Sequence, residues 1–189
     1  MSKIGLMFGT YNPIHIGHTL IAKWIVENSD LDAVWLVVSP LSPYKQGIEL
    51  VATEKRLEMA QIAVHDDDKI SVCDAELHLP KPSYTVDTID YLRRENPDCE
   101  FSIIMGGDNV DGIIGWKQSD RLLSENQILV FPRFGYMPTI EHKNIQFLNA
   151  PRVEISSTMI REMVNKGVNP RFFVCDGVAN YITKEKLYS

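Results

Sequence analysis

The sequence predicts an α/β protein: a doubly wound, mostly parallel sheet flanked by helices, with a small C-terminal helical part. Three observations carry that reading. Six short apolar runs, rich in β-branched and aromatic residues, recur along the chain. Helical patterns lie between them, and that alternation is what crossover connections between parallel strands require. The 189 residues, 44% hydrophobic and 23% charged, suffice for one domain, 1–189, with a substantial core.

The elements follow in order. "IGLMF" at 4–8 is a first strand that stops at Gly9. "TLIAKWIVENS" (19–29) spaces Leu20, Trp24 and Glu27 at helical intervals. "AVWLVV" (33–38) is a second strand. "ATEKRLEMAQIAV" (52–64) is a helix with Leu57, Ala60, Ile62 and Val64 on its apolar side. "ISVCD" (70–74) is a third strand. In "TVDTIDYLRREN" (85–96), Val86, Ile89 and Leu92 form a stripe, and Pro97 stops it. Strands are expected again at 101–105, 127–131 and 145–148. "TMIREMVNKG" reads as a helix ending at Gly167, and "DGVANYITKEKLY" as a closing helix. The acidic triplet Asp66, Asp67 and Asp68 reads as a solvated turn.

Composition excludes several classes. Nineteen basic against twenty-five acidic residues leave a net charge of −6, which argues against nucleic acid as a partner. A local cluster of donors still suits a small anion. The three cysteines, Cys73, Cys99 and Cys175, are far apart and fit a reducing, cytoplasmic setting. The N-terminus lacks the pattern of a signal peptide, and no apolar run approaches the roughly 20 residues that cross a bilayer. Nothing in the sequence argues against a homo-oligomer.

In such folds ligands bind at the carboxyl ends of strands, where helix N-termini offer free N–H groups to anions. "GTYNPIHIGH" (9–18) stands at such a junction. Gly9 and Gly17 permit close approach and unusual dihedrals. Pro13 stiffens the turn, and Thr10 supplies a hydroxyl. His15 and His18, three apart in a first helical turn, face the same way. A nearby phosphate would favour their protonated forms. Taken alone, the pair also fits a capped helix start or half of a zinc site, although no cysteine or third histidine lies near. "EISSTMIR" (154–161) places Ser156, Ser157 and Thr158 at a helix start, as caps or as a phosphate cradle. Arg161 follows one turn on, with forked donors.

The string G-[TS]-[FY]-[DN]-P-x-H-x-G-H, together with I-S-S-T-x-I-R, resembles the two signatures of the H-x-G-H nucleotidylyltransferase superfamily. The resemblance implies a Rossmann-like fold and transfer of a nucleoside monophosphate with release of pyrophosphate. The middle of the chain narrows it. "SPLSPYKQ" carries Lys45. "KPSYTVDT" puts Ser83, Tyr84 and Thr85 at a helix start. "IIMGGDN" ends a strand with Gly106, Gly107 and Asp108. "GWKQSDRLL" offers the Trp116 ring, and "FPRFG" carries Arg133. Over essentially the whole chain this is similar to the bacterial nicotinate-nucleotide adenylyltransferases, which join ATP and nicotinate mononucleotide in NAD synthesis.

By that resemblance ATP would meet Gly9, Thr10, His18, Gly106 and Asp108, with Ser156, Ser157, Thr158 and Arg161 on its terminal phosphates. Nicotinate mononucleotide would meet Asn12, His15, Lys45 and Arg133. Thr85 and the backbone near Trp116 and Lys117 would take its carboxylate, and the Trp116 ring would stack on the pyridine. His15, His18, Lys45 and Arg161 would be catalytic. Mg²⁺ would be carried mainly by the ATP phosphates. Phe8, Tyr11, Asn12 and Tyr44 depart from the residues usual in that family. An acceptor such as nicotinamide mononucleotide or phosphopantetheine is the alternative.

Overall fold

The structure, a computed structural model, describes residues 1–40 and 50–189. Six strands are present: β1 (Ser2–Gly9), β2 (Ala33–Val38), β3 (Ile70–Cys73), β4 (Cys99–Gly106), β5 (Ile128–Phe131) and β6 (Ile145–Phe147). The helices are α1 (Ile16–Asn28), α2 (Thr53–Val64), α3 (Thr85–Glu95), α4 (Gly107–Val110), α5 (Ser119–Glu125), α6 (Ser157–Asn165) and α7 (Asp176–Lys184). Two 3-10 segments, Ala75–His78 and Asp111–Gly115, complete the list.

Every strand pair is parallel and the order is β3-β2-β1-β4-β5-β6. That order reverses direction between β1 and β4. Their carboxyl ends, Gly9 and Gly106, therefore flank the crevice that an open α/β sheet leaves at its switch point.

Strand side chains alternate between two cores. Phe101, Ile103 and Met105 of β4 join Val86, Ile89 and Leu92 of α3 and Leu122 of α5 on one face. Ile104, Leu129 and Leu36 meet Ile21 and Ile25 of α1, Met59 of α2 and Val178 of α7 on the other. Burial on both faces explains why the strands read as unbroken apolar runs. Each fully buried aliphatic side chain contributes roughly 1.5–3 kcal/mol.

All six expected strands are present, shifted by two residues at most, and the closing helix is α7. It packs on α2, where Lys55 pairs with Glu185 at 2.9 Å and Tyr181 donates to Glu58 at 2.6 Å. Three expectations need correction. Helix α1 starts at Ile16, ahead of the periodic stretch, because His15 serves as its N-cap. The buried stripe of α2 is Arg56, Met59, Ala60 and Val64, so Leu57 and Ile62 are only partly covered. Neither Gly9 nor Gly17 takes a left-handed backbone: Tyr11 does (φ 45°). Gly9 is needed for close approach, since a Cβ there would lie 2.8 Å from the Tyr11 ring.

The three cysteines are free thiols. Among the described residues no helix is long and apolar enough to cross a membrane.

Candidate active site

The turn after β1 is built around buried polar groups. Tyr11 is buried and its hydroxyl donates to Met7 O at 2.6 Å, which holds the ring edge-on to His18 at 5.0 Å. His15 and His18 stack, ring centroids 3.6 Å apart. His18 Nδ1 accepts the His15 backbone N–H at 3.2 Å, doing the work of a capping side chain. On the neutral ring the proton then sits on Nε2.

Arg56 of α2 is wholly buried beneath this turn. Its guanidinium donates to the carbonyls of Thr10, Ser39, Pro40 and Val51 and to the Thr53 hydroxyl, so all five N–H groups are used. Among the described residues it makes no ion pair, and its partners are neutral oxygens. The sequence signal was an arginine in register with Met59 and Ala60 on the inner face of α2.

The second motif closes onto the first. Ser156 caps α6, accepting from the Met159 N–H at 3.2 Å. Ser157 Oγ donates to Pro13 O at 2.8 Å. Arg161 donates to Asn12 O at 2.9 Å and to Thr158 Oγ1 at 3.1 Å. Asn12 is buried, and its Oδ1 accepts from Val51 N and from the Tyr188 hydroxyl. Asn12 thus props the turn from within, a task the sequence reading did not foresee.

Two cavities adjoin here. One of about 380 Å³ is lined by Asn12, His15, Ser156, Ser157, Thr158 and Arg161. The other, about 550 Å³, is lined by Gly9, Glu76, Thr85, Gly106, Trp116 and Lys117. Thr10, His18, Asp108, Arg133 and Ser157 line both and form the wall between them. Lys45 and Tyr44 lie outside the described residues. Every other residue given a substrate-binding or catalytic role from the sequence borders one cavity or both. Asn12 and His15 border only the α6 side of the wall, away from Thr85 and Trp116.

Arg133 Nε lies 3.6 Å from Asp108 Oδ1, against Gly106, where a Cβ would collide with both side chains. Lys117 pairs with Asp87 at 2.8 Å and lies over the Tyr84 ring. The Trp116 N–H is already committed to Ile113 O at 3.0 Å.

Burial, and then the Arg133 charge, bring the His15 imidazole down to about 4. In the protein by itself it is therefore neutral at pH 7. Its Nδ1 and Arg133 Nε are buried without a hydrogen bond among the described residues, and both belong to groups bordering the cavities. Among the described residues no group of three or more His, Cys, Asp or Glu side chains is placed to hold a metal.

Residues 6–163 match the family described as cytidylyltransferase-like. A probable nicotinate-nucleotide adenylyltransferase of Flavobacterium psychrophilum is 43% identical over 190 residues, covering 98% of each chain. One of Halalkalibacterium halodurans is 35% identical over 190 residues, covering 100% of this chain and 92% of the relative. Among solved structures, Plasmodium falciparum nicotinic acid mononucleotide adenylyltransferase complexed with NaAD superposes with a TM-score of 0.83. It covers 100% of this chain and 98% of that one at 20% identity, a likeness of fold.

Proposed function

This chain belongs to the nicotinate-nucleotide adenylyltransferases, within the cytidylyltransferase-like family, and from that premise we propose that it transfers the adenylyl group of ATP to nicotinate mononucleotide. The products are nicotinate adenine dinucleotide and pyrophosphate, a step of NAD biosynthesis. The observation that carries the reading is the shared wall: two cavities meet at Thr10, His18, Asp108, Arg133 and Ser157. A reaction that joins two nucleotides through a phosphate needs two seats and one common boundary.

In this reading the ATP phosphates lie along α6, over Ser156, Ser157, Thr158 and Arg161. The acceptor enters the larger cavity, its carboxylate toward Thr85 at the start of α3 and its pyridine against Trp116. The acceptor phosphate is ionised at neutral pH and needs no general base. One of its oxygens attacks the α-phosphorus. The bond from that phosphorus to the bridging oxygen breaks, and pyrophosphate leaves. His18 donates from Nε2 to the oxygens gathering charge, and Arg161 and Arg133 add fixed positive charge. One cation at about 4 Å from an anion is worth ~4 kcal/mol at an effective dielectric near 20, so two or three dominate the barrier. Mg²⁺ enters as part of the substrate and, once bound, neutralises charge on the departing pyrophosphate. Three unpaired thiols support a cytoplasmic setting.

The test is a panel of acceptors with ATP and Mg²⁺, scored by product mass. Nicotinate mononucleotide should yield its dinucleotide fastest. Faster turnover with nicotinamide mononucleotide or phosphopantetheine overturns the assignment.

A further inference from the structure

The buried carboxylate of Glu76 has no part in the chemistry just described, yet it borders the acceptor cavity. The chain leaves β3 and a 3-10 turn carries Glu76 inward, to 3% exposure. Among the described residues no lysine, arginine or histidine forms an ion pair with it. Its partners are hydroxyls. Ser83 Oγ donates to Oε2 at 2.8 Å and Thr88 Oγ1 to Oε1 at 3.2 Å, while the Ser39 hydroxyl lies near enough to favour the charged form.

A buried carboxylate without a cation is costly, even with hydroxyl partners. Burial pushes its carboxyl above the usual glutamate range, and the three hydroxyls pull part of that back. Uncharged residues would fill the space at less cost to folding. The placement of the three hydroxyls says what the carboxylate accomplishes. Ser83 and Thr88 bracket Tyr84 and Thr85, the N-cap and the first residue of α3. Tyr84 gives no side-chain cap, so the helix start keeps its N–H groups for an incoming anion. Ser39 is itself fixed: its N–H donates to Gly9 O at 2.8 Å and its carbonyl accepts from Arg56 at 2.8 Å.

We infer that Glu76 is a positioning residue for the acceptor substrate: acting through Ser83 and Thr88, it ties the start of α3 to the 3-10 turn that packs on β2. It thereby sets the distance between the acceptor's anion seat and the phosphate wall. The inference deepens the function proposed above and rests on it.

The experiment is Glu76→Gln in the full chain, with initial rates measured against each substrate and thermal unfolding at pH 7.5. The acceptor KM should rise about tenfold, the value of one well-placed hydrogen bond, with the ATP KM within about twofold. The Tm should hold or rise, because a buried charge has been removed. An unmoved acceptor KM overturns the inference. So does a joint rise of both KM values with a falling Tm, the mark of general loosening. If Glu76→Gln does not fold, Ser83→Ala removes one hydroxyl only. It should raise the acceptor KM about threefold, and an unchanged value again overturns the role. An unaltered chain that forms no dinucleotide sinks the function itself. An active unaltered chain with unchanged kinetics in the variant sinks only the positioning role.

Discussion

At the end of the cleft proposed for ATP, here the nucleotide end, cations are held by neutral oxygens; at the end proposed for the acceptor, a carboxylate is held by neutral hydroxyls. Arg161 donates to Asn12 O and Thr158 Oγ1, and Arg56 to four carbonyls and a hydroxyl. Neither forms an ion pair among the described residues. Arg161 borders the α6-side cavity, whereas Arg56 is buried beneath the turn and acts on its shape. Glu76 sits in the opposite arrangement, its negative charge wrapped in donors. One end stores field, and the other stores geometry. The ends should fail differently when their holding groups are changed.

The largest effect is expected at the wall between them. His18→Ala should lower kcat by about 10²–10³ with a small change in either KM, since the donor matters most when charge develops. An unchanged kcat in a folded variant would remove His18 from the chemistry. Next comes Arg56→Lys, which keeps the charge and loses the fork. Denaturant unfolding should show a loss of about 3 kcal/mol, from carbonyls left unpaired in the interior. A neutral result would mean water replaces those bonds and that the scaffold under Thr10 is softer than argued. Arg161→Ala should then raise the ATP KM by roughly 30-fold while sparing the acceptor KM, the mirror image of Glu76→Gln. If both variants moved the same KM, the division into two ends would be wrong.

The smallest effect is a pH dependence confined to the nucleotide end. Unfolded His15 takes a proton near pH ~6.5, and folded His15 does so at about 4. Between those values the unfolded chain binds more protons, so stability falls as pH drops through that window. His15→Gln should flatten the decline by about 2 kcal/mol in unfolding curves measured between pH 7 and 5. An identical decline in both proteins would place the titration elsewhere.

How much was legible follows the same division. The strands could be read because a parallel sheet buried on both faces leaves continuous apolar runs, as in "AVWLVV". The nucleotide end could be read because its groups cluster in two short strings, whose meeting is seen in the Ser157 and Arg161 bonds. The scaffold of both ends could not. "AELH" looks like a surface segment, and only packing from β2, β3 and α3 turns Glu76 inward. Arg56 looks like one more charge in "TEKRLE" until its register with Met59 is followed. The short helices α4 and α5 were missed for a related reason: after Gly107 and around Leu122 too few apolar residues recur to mark a period.

The bonds from Ser157 to Pro13 and from Arg161 to Asn12 join residues 144 and 149 positions apart. A ribosome makes the first half of this grip long before the second. Until residue 161 has emerged and folded back, the two histidines face an open corner with nothing to clamp a triphosphate against them. On the proposed reading, activity is therefore a late event in the birth of each molecule, because chains that end before residue 161 lack the second half of the grip.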